Sequence, residues 1–215
     1  MRKLWTFFAY PDPETAVVDA LQAAYLDSGG TLSTVLRALF LRDEFHSARA
    51  RQEHVASPVE YLVGTVRSLQ GRCDGRDLPY VAGGMGQDLF QPPNVAGWPG
   101  GLHWMTSVTR FNRFAFAWNL ATARDRRYRG LYVPVSGILD GLPDGADGAA
   151  VVERVLEAAG AEGASAATRA TLATYMETGE DGSPVPFDPS DPDAVDRKVR
   201  GLLGIVLMLP EASLA

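Results

Sequence analysis

Between residues 72 and 104 the chain carries seven glycines and four prolines, Gly75, Gly83, Gly84, Gly86, Gly97, Gly100 and Gly101 with Pro79, Pro92, Pro93 and Pro99. No long regular element persists through such a stretch. The same residues include Met85, Phe90, Trp98 and Trp104, which a solvated linker would not need. The composition predicts an ordered loop held against neighbouring helices by its large side chains, and ordered loops beyond about 12–15 residues often carry function.

The flanks read as helices. Asp12 and Pro13 form a cap and first-turn pair, and Val17, Leu21, Ala24 and Tyr25 follow at helical spacing until Gly29 and Gly30. Thr31 reopens a helix with Val35, Leu36, Leu39 and Phe40 on one face. Ser57-Pro58-Val59-Glu60 has the form of a capping box with proline at the first helical position. From Thr106 to about Ala123 the chain is apolar most of the way around a helix. Phe111, Phe114 and Trp118 share one face, with Phe116 and Leu120 on the other, so this helix is expected at the centre. Asn112 and Asn119, seven apart, share a face bordered by Ala115 and Phe116; if buried, their amides need partners, which the backbone of the preceding loop could supply. Leu131 to Val135 reads as a short strand or extended link and Ser165 as a cap. Asp191-Pro192 opens the last helix, with Val195, Val199, Leu202, Leu203 and Val206 inward and Pro210 ending it. No alternation of strand and helix occurs, so the class is all-α, an irregular multi-helix bundle with one long ordered Gly/Pro/Trp-rich loop.

Charge divides unevenly. Residues 1–130 carry a net +3 and residues 131–215 a net −9, which together make the formal −6. That balance argues against a dedicated nucleic-acid binder, which shows a concentrated basic face. The local exception is Arg124, Arg126, Arg127 and Arg129, read as a solvated helix end complementing the C-terminal dipole. The longest apolar run, Leu202 to Leu209, falls far short of the roughly 20 residues that cross a bilayer. Met1 to Tyr10 imitates a signal peptide but runs into Pro11-Asp12-Pro13 without a small-residue cleavage site. It is read instead as the end of a buried helix whose earlier part is absent, with a cytoplasmic location as the default. The single cysteine, Cys73, excludes an internal disulfide and a thiolate cluster built by this chain alone.

The candidate chemistry is sparse. His46 and His54 are eight apart rather than four, with no acidic third ligand at a recognised spacing, so no metal site is expected. Ser57 is explained as a cap, and no nucleophile elbow is present. Gly83-Gly84-Met85-Gly86 matches neither a dinucleotide fingerprint nor a P-loop, so no cofactor is expected. Cys73 has mixed-charge neighbours and no placed histidine. The unusual constellation is Gly86 to Trp104, followed by Arg110-Phe111-Asn112. Prolines stiffen it, glycines permit its turns, and two indoles can anchor it while presenting N–H donors. It reads either as a plug over the bundle or as a groove for a sugar, peptide or aromatic ligand. The candidate binding residues are Gln87, Trp98, His103, Trp104, Arg110 and Asn112; no catalytic residue is assigned.

Arg2-Lys3-Leu4-Trp5 with Phe7-Phe8, Leu36 through Phe45, Ser57 to Glu60, Gly86-Gln87 to Trp104, Arg110-Phe111-Asn112 and the closing Leu209-Pro210-Glu211 resemble the C-terminal half of the bacterial domain of unknown function 1800 family. The resemblance covers essentially the whole chain, and the loop is its specific part. It implies a chain truncated relative to a longer helical protein whose N-terminal half is missing. Pro210-Glu211-Ala212 lacks the aromatic usual there. The family has no established activity, so the resemblance transfers no catalytic residue.

The expectation is therefore a single helical domain over 1–215, with helices in 1–71, the ordered loop in 72–104, the central helix in 105–130 and an acidic helical region in 131–215. Its expected function is a non-catalytic binding or assembly module that engages a protein partner or the missing N-terminal half. The competing reading is an uncharacterised hydrolase-like enzyme using His103, Asp88 or Arg110, its site completed by the missing half. Convergence of those three side chains in an open pocket would favour the enzyme.

Overall fold

The computed structural model describes residues 1–51, 53–123, 130–143 and 145–214. Among these the protein is all-α, with ten α-helices and no strand; two isolated antiparallel bridges join Arg72 to Tyr132 and Thr178 to Pro184. Leu131 to Val135 is thus an extended link that begins with one bridge and runs into a helix at Val135. The described residues form two compact units, Met1–Val55 and Ala56–Leu214.

The first unit contains α1 (Arg2–Phe8), α2 (Thr15–Asp27) and α3 (Leu32–Phe40). Its core is Trp5, Tyr10, Val17, Leu21, Val35 and Leu39. Trp5 and Tyr10 meet edge to face at 5.3 Å, and the Tyr10 hydroxyl donates to Glu14 at 2.8 Å. Arg49 covers the same ring at 4.1 Å and donates to the same carboxylate. Two expectations change here. The opening segment is not a buried helix: only Trp5 of α1 is buried, and Phe7 is 78% exposed, because one face alone meets α2 and α3. Asp12 and Pro13 do not cap α2. Asp12 takes a left-handed φ of 53°, which turns the chain so that Glu14 becomes the N-cap two residues later. His46 lies in a short 3-10 turn with its ring Nε2 2.9 Å from the Phe40 carbonyl.

The second unit comprises α4 (Pro58–Ser68), α5 (Leu78–Gly84), α6 (Ser107–Thr122), α7 (Val135–Leu139), α8 (Gly148–Ala158), α9 (Ala166–Met176) and α10 (Pro192–Leu207). Most starts follow from local chemistry. Ser57 and Glu60 close a reciprocal capping box, the Ser57 N–H donating to Glu60 Oε2 at 2.8 Å. Thr106, Asp147, Ser165 and Asp191 accept first-turn N–H groups of α6, α8, α9 and α10. Helix α10 packs on α6, α8 and α9, and Val199, Leu202, Leu203 and Val206 are buried as their spacing predicts, with Val195 partly buried.

Helix α6 is central but presents a different face. Thr109, Arg113, Phe116, Ala117, Leu120 and Ala121 are inside, while Phe111 is 69% and Trp118 49% exposed. The reason is close approach to α10. A Cβ on Gly204 would lie 3.1 Å from Trp118 Cε3 and 3.5 Å from Ala121 Cβ, so the helices meet through Ala121 and one edge of the Trp118 ring, the rest of which stays outside. Residues 72–104 are not loop throughout either: Leu78 and Pro79 open α5, and its single apolar face, Leu78, Val81 and Ala82, packs on the second unit's core. Arg124, Arg126, Arg127 and Arg129 lie outside the described residues.

Arg113 is buried in the second unit. One Nη donates to the Ala56 carbonyl at 2.6 Å, the guanidinium stands 4.6 Å from the Tyr61 ring centroid, and its Nε and other Nη have no hydrogen-bond partner among the described residues. If the stem's volume matters more than the charge, Arg113→Met changes stability by less than about 1 kcal/mol, whereas Arg113→Ala costs about 2–4 kcal/mol through the cavity left behind. Urea unfolding of the two variants measures the difference.

Candidate functional site

Helix α5 lies against α6, and between them a groove of about 390 Å³ opens, within the size range of small-ligand pockets. Leu78, Val81, Ala115, Phe116 and Leu131 give it apolar walls; Cys73, Asp74, Asp77, Tyr80, Asn112 and Asn119 add polar groups. The asparagine face read from the sequence, with Ala115 and Phe116 beside it, is the α6 wall of this groove. Asn112 Nδ2 donates to the carbonyl of Gly84, the last residue of α5, so the loop backbone does supply its partner. Asn119, half-buried, has no hydrogen-bond partner among the described residues. Cys73 Sγ accepts the Gly75 N–H at 3.2 Å. Asp74 accepts the Arg76 N–H at 3.0 Å, with the Arg76 Nε at 3.8 Å from its other oxygen.

Of the six residues singled out from the sequence, Asn112 alone lines the groove. Gln87 supports the fold instead, its Oε1 accepting the Val59 N–H at 3.0 Å and so satisfying a first-turn donor of α4 that has no partner within its own helix. Trp104 is buried, its carbonyl accepting from Thr109 Oγ1 at 2.8 Å. Its ring also lies 3.8 Å from where a Cβ on Gly86 would stand, and Gly86 has φ 95°. Trp98 is only half-buried. His103 and Arg110 are exposed, and the Arg110 guanidinium lies 5.5 Å from the Phe114 ring centroid. Asp88 is exposed as well, and no hydrogen bond among the described residues joins it to His103 or Arg110.

The loop is therefore held at its ends rather than along its length. Met85, Gln87 and Trp104 are tied in, whereas Phe90 is 94% exposed and Val95 and Leu102 project into solvent. An Asx turn shapes the middle, Asn94 Oδ1 accepting the Ala96 N–H at 2.8 Å. Of the two indoles expected to anchor the segment, Trp104 is buried and Trp98 partly buried. Sequence reasoning missed Leu78, Val81, Tyr80 and Leu131 as groove residues; α5 is seven residues long and ends in two glycines, so Leu78, Val81 and Ala82 offer no more than a single turn of helical spacing as a signal. Among the described residues no group of three His, Cys, Asp or Glu could hold a metal ion, and no helix is long and apolar enough to cross a membrane.

Trp104→Ala should lower stability by about 3–5 kcal/mol and Trp98→Ala by less than half as much, an ordering that thermal unfolding of the two variants checks. Asn112→Leu removes one side-chain tether between α5 and α6 and should cost about 1 kcal/mol, read in the same way.

No curated protein and no solved structure matches this chain. A family model does, over residues 1–214, nearly the full length. The helices, the end-pinned loop and the groove are accordingly those of a member of the family described as protein of unknown function, DUF1800, to which this chain belongs.

Proposed function

We propose that the protein is a non-catalytic binding or assembly module and that its site is the groove between α5 and α6, which takes an apolar side chain together with its peptide group from a partner segment. The observation that carries this reading is the Asn119 amide, half-buried in an apolar groove with both its donor and its acceptor unused among the described residues. A side-chain amide can accept a backbone N–H at its carbonyl oxygen and donate one of its two N–H groups to a backbone carbonyl. Asn112 and Asn119 stand about 10 Å apart along the helix axis at 1.5 Å per residue, with Ala115 leaving room between them. The enzyme reading needs His103, Asp88 and Arg110 to act together, and no shared hydrogen bond or pocket among the described residues supports that.

Cys73 lines the groove and is the chain's sole cysteine, so its alkylation by iodoacetamide reports on occupancy. The neutral probe N-acetylphenylalaninamide should slow alkylation several-fold in the wild type. It should have no effect in Ala115→Trp, where the indole fills the space. Equal wild-type rates with and without the probe would refute the proposed occupant.

A further inference from the structure

A second cavity, about 450 Å³, lies on the other side of α6, bounded by α10 and the segment leaving α9. Its polar groups are unlike those of the groove. Among the described residues Trp118, Tyr175, Arg197 and Lys198 are its principal donors, and Glu180 is its one carboxylate. Neither the Trp118 indole N–H nor the Tyr175 hydroxyl has a hydrogen-bond partner among the described residues. Burial raises the Tyr175 pKa above the ordinary phenol value, which keeps that hydroxyl protonated and able to donate. Lys198 spends two of its three N–H groups on the carbonyls of Tyr175 and Thr178, leaving one. Arg197 is half-exposed, with its Nε 3.5 Å from an exposed Glu180 oxygen and its Nη groups uncommitted. Arg200 is buried and satisfied by Asp196 and by the Ala121 and Val133 carbonyls, so it contributes field rather than free donors.

The charge here runs against its surroundings. Residues 131–215 carry a net −9 with only five basic residues, and three of the five line this one cavity. The aromatic seating is equally particular. A Cβ on Gly201 would overlap the Tyr175 hydroxyl oxygen, and one on Gly204 would lie 3.1 Å from the Trp118 ring. Two glycines one turn apart on α10 thus make room for the two rings. Unused N–H and O–H donors, a net positive lining and flat apolar surfaces call for one kind of occupant.

We infer that this cavity is a binding site for a small organic anion with a planar ring, its carboxylate held by Arg197 and its ring lying against Trp118 and Tyr175. The guanidinium fork matches a carboxylate in two parallel hydrogen bonds, and the volume admits a body of about fifteen non-hydrogen atoms if each takes about the ~30 Å³ of a water molecule. The site is separate from the α5–α6 groove, so either can stand without the other.

The probe is 2-naphthoate, with neutral 2-naphthamide as its isostere, followed through the Trp118 indole N–H resonance, assigned by its loss in Trp118→Phe. Naphthoate should shift that resonance to saturation below about 10 mM, while the amide leaves it in place. Arg197→Met keeps the stem and removes the charge at a half-exposed position; it should weaken naphthoate at least about tenfold with unfolding unchanged. Gly201→Ala, which forces the Tyr175 ring to move, should weaken it as well. An equal response to acid and amide, undiminished binding in Arg197→Met, or no response of Trp118 to naphthoate overturns the assignment.

Discussion

The close approach of α10 to α6 at Gly204 governs the second unit. With no side chain there, the two helices meet through Ala121 and the edge of the Trp118 ring, and Ala117, Leu120 and Ala121 become the buried stripe of α6. Once that stripe is committed to the core, the remaining faces of α6 are committed too. Asn112, Ala115, Phe116 and Asn119 turn toward α5 and line the groove, while Trp118 and Thr122 turn toward the exit of α9 and line the second cavity. One helix therefore serves as the shared wall of two cavities of opposite character, an amide-bearing apolar groove and a donor-rich basic cavity.

Helix α10 also satisfies the backbone of its neighbours. The last carbonyls of an α-helix have no partner within it, and long cations near a C-terminus can serve them. Arg200 reaches the Ala121 carbonyl near the end of α6 and the Val133 carbonyl beyond it, and Lys198 reaches the carbonyls of Tyr175 and Thr178 where α9 ends. Two cations two residues apart on one helix thus tie down two other chain segments. Asp196 one turn earlier neutralises Arg200 at 2.8 Å, so its burial leaves no uncompensated charge. Arg197, which precedes both in the sequence, is not consumed this way and faces the cavity with its Nη groups unused.

Local capping chemistry was the most legible part of the sequence. Ser57, Thr106, Ser165 and Asp191 each act through their own side chain on the next one or two turns, so no tertiary knowledge was needed to place those helix starts. The asparagine face of α6 was legible for a related reason: two amides at helical spacing beside Ala115 and Phe116 imply an acceptor nearby, and Gly84 supplies one. The aromatic face of the same helix misled. Ring count favours Phe111, Phe114 and Trp118 as the inward face, but a helix pressed against a glycine buries small residues there, and nothing local to α6 announces Gly204, far along the chain. Helix α5 was hidden by its glycines, since a seven-residue helix ending in Gly83 and Gly84 has almost no period to detect. The loop's indole anchor was half legible: Trp104 directly precedes the α6 cap region and is fixed by Thr109, whereas Trp98 sits among turns that leave it only partly buried.

Arg113 shows how this unit tolerates a charge without a counterion beside it. Its guanidinium is used by a single carbonyl acceptor, that of Ala56, and by the face of Tyr61. Burial pulls Arg113 below the ordinary guanidinium value and pushes Tyr61 well above that of an ordinary phenol. The two displacements leave a cation and a neutral ring at any pH near neutrality, which is the combination in which ring face and cation attract. The Tyr61 hydroxyl meanwhile lies 3.4 Å from the Leu207 carbonyl at the end of α10, and the Ala56 N–H donates to the Ser213 carbonyl at 3.0 Å. The ring that partners Arg113 is thus itself fixed from the α10 side, and so is the peptide whose carbonyl Arg113 holds. The start of α4, the middle of α6 and the chain after α10 meet at this arginine, so the groove wall that begins one residue earlier, at Asn112, inherits its position from a cation–ring contact rather than from an ion pair.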